Sequence, residues 1–390
     1  MTFTIYSTSV LVSLLSGWNH VAVATSDVWK LPTNLALSAL AIISYHIGLR
    51  AGCFAREPPA ERALPPSEVS SPLSPKLATL PVVVMPTLTS DARQYAKLQA
   101  AIKSVLATGA TLIVVDDASP MDIKPLCHGE ERVLYVRHET NLGPGAARNT
   151  GARLALKFLK PTFIAFTDSD CVVNQDWLNV HARHQREQPG VWCGQTAALD
   201  RDTSVGQYHD LMGTLNGRRW TDAGSLLYGP SCNMSVAASV MSKHRFDERF
   251  PGASFEDVEF CVRAIKNGIH PRYAEDALVM HDYESSLGAF AKQFYRYGTS
   301  YPLMSSIHAE VRAGDTHPPA RIETPWRRTY PCSRVYAPTS PSPVSVMFFG
   351  WWIVCHDGFP NPERTTDASA RRVLLLPIVC PPIQAPQIRL

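Results

Sequence analysis

The chain carries its hydrophobic residues in three textures. From Met1 to Ser26 no charged residue occurs, and Leu31 to Leu49 is a second uncharged stretch, close to the roughly 20 residues that a bilayer-spanning helix needs. The first stretch also has a feature of a secretory signal, Ala22-Val23-Ala24, but no Lys or Arg precedes it as such a signal requires, so an uncleaved anchor is the preferred reading. Arg50, Arg56, Arg62 and Lys76 follow the second stretch and only Lys30 precedes it, which by the positive-inside rule places the following domain in the cytoplasm. Residues 1–55 are therefore expected to be a membrane anchor of one or two helices. A buried hairpin of core helices is the alternative.

Residues 56–79 are rich in Pro and Ser without apolar periodicity and predict a semi-extended linker. The second texture starts near Leu80. Pro81 to Met85, Thr111 to Val115, Val133 to Val136 and Thr162 to Phe166 are short apolar runs with the length of buried strands, the first ended by Pro86. Between them, Tyr95 to Leu106 and Ala146 to Leu159 have helical spacing. This alternation predicts an α/β domain over residues 80–305, with a mostly parallel, Rossmann-like sheet covered by helices on both faces. The third texture begins near Ser306. Of the chain's 31 prolines, 13 lie between Ile307 and Leu390, and no period persists there, so residues 306–390 are expected to be a poorly ordered tail. Its apolar run Val344 to Cys355 is too short to span a bilayer alone.

Composition narrows this picture. With 45% hydrophobic and 18% charged residues the chain is globular, and a net charge of +3 gives no field that would argue for nucleic acid as a partner. The nine cysteines include no C-x-x-C pair, which reads as buried, reduced thiols.

Open α/β sheets bind ligands beyond the carboxyl ends of their strands. Three such places carry polar residues: Pro86-Thr87, Asp116-Asp117 and Asp168-Ser169-Asp170. Strand-end acids also cap helices, and that reading weighs equally for Asp116 and Asp117. On an extended segment Asp168 and Asp170 project to one side, where two carboxylates repel unless a cation lies between them; hard oxygen ligands suit Mg²⁺ or Mn²⁺. Asn141-Leu142-Gly143-Pro144-Gly145-Ala146-Ala147-Arg148-Asn149 joins a glycine turn to a helix start, gathering backbone amides, a dipole end and a guanidinium where a diphosphate could lie. The plain alternative is a turn with Arg148 on a solvated face. Glu256 and Asp257 open a helix whose apolar residues recur at Val258, Cys261, Val262 and Ile265; acids there suit the helix dipole, or serve as a general base. His281 follows Leu278-Val279-Met280 and could complete a metal shell.

In this order, Val84-Met85-Pro86-Thr87, Val114 to Ser119, Asn141 to Asn149, Asp168-Ser169-Asp170, Glu256-Asp257 and His281 resemble the family 2 glycosyltransferases of the GT-A fold, over roughly Leu80 to Leu303. Gly229 to Met234 looks like that family's acceptor-side strand. The resemblance implies transfer of a sugar from a nucleotide diphosphate sugar to an acceptor hydroxyl by metal-dependent inverting displacement. It makes Asp257 the base with Glu256 beside it, Asp170 and His281 the firmest metal ligands with Asp168 near them, and Asp116 or Asp117 the holder of the nucleotide base. Pro86, Thr87, Asn141, Gly143 and Arg148 would complete the donor site. The acceptor would be a glycan, a lipid-linked group or a small molecule. Two departures stand out. Leu88 occupies a position where the family often has an aromatic residue, and Gln293-Phe294-Tyr295-Arg296-Tyr297 only approximates the Q-x-x-R-W signature of processive synthases, so one sugar per encounter is expected. The alternatives are an inactive scaffold that kept the fold, and a nucleotidyltransferase, whose Gly-rich basic loop after the first strand is missing from Pro86 to Ser90.

Overall fold

Strands whose residues are all apolar must be covered on both faces, whereas a strand with one wet face alternates. The computed structural model describes residues 31–53, 68–69, 81–216, 221–222, 225–226, 228–250 and 252–308. The expectations for residues 1–30, for most of the 56–79 linker and for the tail beyond 308, Val344 to Cys355 included, fall outside these. In chain order the elements are α1 (Leu31–Cys53), β1 (Glu68–Val69), β2 (Val82–Thr87), α2 (Ala92–Ala107), β3 (Thr111–Asp116), α3 (Lys124–Cys127), β4 (Val133–Arg137) and α4 (Pro144–Leu154). There follow β5 (Phe163–Thr167), β6 (Cys171–Val173), α5 (Trp177–Glu187), β7 (Val191–Ala198), α6 (Ser204–Met212), β8 (Thr221–Asp222) and β9 (Ser225–Leu226). The last are β10 (Asn233–Ala237), α7 (Ala238–Met241), α8 (Glu256–Lys266), β11 (Arg272–His281) and α9 (Leu287–Ile307).

β2, β3 and β5 are buried at every residue, as their unbroken apolar runs require. Alternate residues of β2 serve opposite faces. Val83 and Met85 pack with Leu98 and Ile102 of α2 and Trp177 of α5, while Val82 and Val84 pack with Ala147 and Ala152 of α4 and Phe260 of α8. Helices thus lie on both faces. The nine-stranded sheet runs β1-β4-β3-β2-β5-β10-β7-β11-β6. It is parallel from β4 to β5, as expected, but mixed beyond: β10 is antiparallel to both β5 and β7, and β6 is antiparallel to β11. The expectation of a mostly parallel sheet holds in part: β7 and β11 are also parallel, while β1 is antiparallel to β4. Strands and helices alternate between Leu80 and Phe166, and β6 and β10 come after that region.

Pro86 does not end the first strand. β2 pairs with β5 only from Val82 to Val84, so the N–H that Pro86 lacks falls where that ladder has already stopped, while pairing with β3 continues to Thr87. The helix expected from Ala146 starts at Pro144 and turns π-helical over Ala155–Leu159. Cys127, Cys171, Cys193, Cys232 and Cys261 are buried free thiols.

α1 is long and apolar enough to cross a membrane by length and composition, yet it is not a detached rod. It packs along α9 and reaches α6, burying Leu37, Ala41 and Tyr45 in a cluster with Tyr208, Phe290, Phe294 and Tyr297, while Ile43 and Ile47 face outward. The two backbones nearly touch: a Cβ on Gly48 would sit 2.1 Å from the Tyr295 carbonyl oxygen, and one on Gly298 2.1 Å from that of Tyr45. α1 thus has one face in a core, with Ile43 and Ile47 exposed on the other.

Candidate functional site

The carboxyl ends of β2, β3, β4 and β5 meet along one rim. After β2, the Thr87 and Thr89 hydroxyls lie 3.0 Å apart and the Thr89 amide donates to Ser119 Oγ at 2.9 Å, joining the loops after β2 and β3. Asp116 and Asp117 are both buried, and neither caps a helix. Asp116 accepts from the Ser119 amide at 2.8 Å, from the Tyr135 hydroxyl at 2.7 Å and from the Arg137 guanidinium. Asp117 accepts from the amides of Leu142 and Gly143 at 2.8 and 2.7 Å, and pairs with His138 at 2.8 Å. It therefore holds the 141–143 turn, where Gly143 takes φ +92°, a conformation that suits glycine. Asn141 is exposed and its side chain accepts from the Gly143 amide at 3.0 Å.

That turn delivers α4, and with it Arg148, into the site. The guanidinium is buried rather than solvated: Nη2 donates to Asp168 Oδ1 at 2.6 Å and Nη1 to Glu256 Oε1 at 2.9 Å. Burial opposes its charge, but Asp168 and Glu256 outweigh that and hold it protonated more firmly than an ordinary arginine.

The 168–170 segment is a turn, closed by the Cys171 amide donating to the Asp168 carbonyl at 3.1 Å, and not extended as expected. Its two carboxylates diverge, Asp168 toward Arg148 and Asp170 toward His281. The β6–β11 register pairs Cys171 with His281, setting His281 Nε2 3.6 Å from Asp170 Oδ1. This is wider than a hydrogen bond and is the kind of spacing two ligands of one ion keep. Asp170, Cys171 and His281 form a group whose ligand atoms lie within 4.8 Å of one another. Burial pushes the Cys171 thiol well above its usual range, which leaves the Asp170 carboxylate and the His281 imidazole as the donors available without loss of a thiol proton. The carboxylate suits a hard cation such as Mn²⁺ or Mg²⁺, and the imidazole favours a transition metal, Mn²⁺ over Mg²⁺.

At the start of α8, Phe255 takes φ +69° and turns both acids inward. Burial, then the neighbouring Asp257, push the Glu256 carboxyl up to about 7 despite Arg148. Asp257 is also raised, chiefly by burial. Its Oδ2 accepts from the Tyr228 hydroxyl and the Ser231 amide, both at 3.2 Å. The arrangement can accept a proton at Asp257 and bind a cation at Asp170 and His281; Arg148, expected to meet a diphosphate, is instead buried and engaged by Asp168 and Glu256.

Several participants have no place among the residues expected from sequence. Arg137 and His138 stand at the carboxyl end of β4, so their position carried the same signal as the other three strand ends. Tyr228 immediately precedes, and Ser231 lies within, the Gly229 to Met234 segment, which was noted only for its strand. Lys97, which pairs with Asp282 at 3.3 Å and Glu284 at 2.9 Å beside His281, gave no signal, since it lies on α2, far away in sequence.

Residues 82–250 match the model of glycosyl transferase family 2. A pre-mycofactocin glycosyltransferase of Mycobacterium tuberculosis is 30% identical over 221 residues, covering 53% of this chain and 44% of the relative. An uncharacterized glycosyltransferase of Rickettsia conorii is 36% identical over 93 residues, 22% of this chain and 15% of that one. The chain thus spans less than half the length of these curated relatives. Among solved structures, S. aureus TarS residues 1–349 in complex with UDP-GlcNAc is similar at 19% identity and TM-score 0.41, covering 53% of this chain and 59% of that one.

Proposed function

Residues 82–250 form a family 2 glycosyl transferase domain, and from that premise we propose that the chain moves a sugar from a nucleotide diphosphate donor to an acceptor hydroxyl by a single inverting displacement. The observation that supports this most is the placement of Arg148, whose one guanidinium joins Asp168 at a strand end to Glu256, the immediate neighbour of Asp257.

In this reading Asp257 accepts the proton of the acceptor hydroxyl as its oxygen bonds to the anomeric carbon and the bond from that carbon to the diphosphate oxygen breaks. Burial raises the Asp257 carboxyl, which makes it a stronger base near neutral pH than an exposed aspartate. Tyr228 and Ser231 fix its orientation, and Arg148 bridges Glu256 and Asp168 and partly neutralises both. A divalent cation held by Asp170 and His281, with Asp168 close by, would neutralise charge on the diphosphate. Asp116 and Asp117 shape the nucleotide pocket, together with Pro86, Thr87, Asn141 and Gly143. The acceptor is a glycan, a lipid-linked group or a small molecule, and α1 holds the domain at a membrane, with the catalytic side in the cytoplasm.

The test is thermal unfolding of the full chain in detergent with a panel of nucleotide sugars, each with and without Mn²⁺. A ligand at 100 times its Kd stabilises the folded state by about 2.7 kcal/mol. A rise with one nucleotide sugar that requires Mn²⁺ supports the reading; no rise with any of them points to an inactive scaffold.

A further inference from the structure

A histidine that ligates a metal ordinarily donates from its second ring nitrogen to a carboxylate or carbonyl, which fixes the ring. In this chain His281 Nε2 faces Asp170, and Nδ1 is buried with no hydrogen-bond partner among the described residues. Stacking holds the ring instead. Just past β11 the Tyr283 amide donates to the His281 carbonyl at 3.2 Å, and this turn lays the Tyr283 ring on the imidazole with centroids 4.3 Å apart and planes 20° from parallel. Tyr283 also stacks on His209, at 4.1 Å and 16°.

His209 is itself immobilised. Its Nδ1 lies 3.0 Å from Thr214 Oγ1, Tyr208 meets it edge-on at 5.9 Å, and Phe294 of α9 lies parallel to it at 6.4 Å. Burial drives its pKa down to about 3, so it is a neutral, flat ring at any working pH. A histidine whose second nitrogen is orphaned would otherwise rotate about its side-chain bonds and lose its aim. Here the stacked rings leave it one orientation.

We propose that Tyr283, stacked on both His281 and His209, is a positioning residue that aims the His281 imidazole at the cation beside Asp170; this rests on the metal reading above. The ring does this, and the hydroxyl does not. The same stack carries the support back to α9 and so to the helix pair that α9 makes with α1.

The test is Mn²⁺ binding to the full chain in detergent with UDP present, followed by electron paramagnetic resonance of free Mn²⁺ and by spin-echo modulation from imidazole nitrogen. Wild type and Tyr283→Phe are expected to bind alike and to show the nitrogen modulation. Tyr283→Leu is expected to bind Mn²⁺ about tenfold to hundredfold more weakly, the range of lost supporting contacts at metal sites, and to lose the modulation, with UDP affinity in EDTA unchanged. If Tyr283→Leu does not fold, His209→Leu removes the support behind the tyrosine ring and is read in the same way. A folded leucine variant with wild-type Mn²⁺ affinity and modulation overturns the proposal. Absence of nitrogen modulation in the wild type overturns the metal reading itself, and the positioning role with it, because no ligand is left to aim.

Discussion

Asp257→Asn is the substitution that bears most directly on the chemistry. Asn keeps the size of the side chain and an oxygen that can accept from Tyr228 and Ser231, both 3.2 Å away, so the fold and the neighbouring loop are expected to persist. What it loses is the ability to take a proton. General-base catalysis is worth roughly 10² to 10⁴ in rate, about 3 to 5 kcal/mol at about 1.36 kcal/mol per decade. Release of the nucleoside diphosphate from the donor that the thermal panel selects, followed with and without added acceptor, gives kcat; calorimetry with that nucleoside diphosphate and Mn²⁺ gives affinity. The expected result is a loss of at least about a hundredfold in kcat with donor affinity within about twofold. The wild-type profile supplies a second check. Asp257 is raised by burial, and a base works only when ionised, so activity is expected to fall with pH at a value above that of an exposed aspartate. Wild-type kcat in the Asn variant would refute the assignment.

Asp170→Ala is expected to weaken Mn²⁺-dependent binding of the donor's nucleoside diphosphate about tenfold or more by calorimetry, while binding in EDTA stays as in the wild type. Glu259→Gln tests an ion pair behind the site. Burial works against the Glu259 charge, but His308 and Arg263 outweigh it and hold the carboxyl at about 2 against an ordinary 4.5. The folded state therefore gains up to about 3 kcal/mol above the ordinary carboxylate value, lost as pH falls toward the lowered one. Urea midpoints of wild type and variant should differ at neutral pH and converge as pH approaches about 2. Gly298→Leu places a side chain against the Tyr45 backbone, where a Cβ would lie at 2.1 Å. Limited proteolysis should cut α1 faster in that variant, with a lower thermal midpoint.

The parallel half of the sheet was legible because buried parallel strands are written as continuous apolar runs, and each run from Val82 to Phe166 appears as one. β10 and β6 were harder. Their partners are set by long-range pairing, such as Met234 with Phe166 and His281 with Cys171, which no local pattern encodes. Pro86 misled the strand end because a proline's cost depends on whether a neighbour is there to receive its missing N–H. At the site, residue types at strand ends located Asp116, Asp117, Asp168 and Asp170, but not their partners. That Arg148, bound to Asp168, also reaches Glu256 across 108 positions of sequence, or that Asp117 holds the turn at Gly143, follows from packing. The divergence of Asp168 from Asp170 likewise needed the turn between β5 and β6, which the x in D-x-D does not reveal.

Four carboxylates, Asp168, Asp170, Glu256 and Asp257, share the cleft with the guanidinium of Arg148. With all of them ionised the unliganded cleft is anionic, and a diphosphate approaching it meets like charge. Entry of the donor therefore calls for positive charge to arrive with it or ahead of it, which sets an order of binding. It also gives pH a second role: a proton on Glu256, whose carboxyl is pushed up to about 7, removes one of the opposing charges, so mild acid eases donor entry.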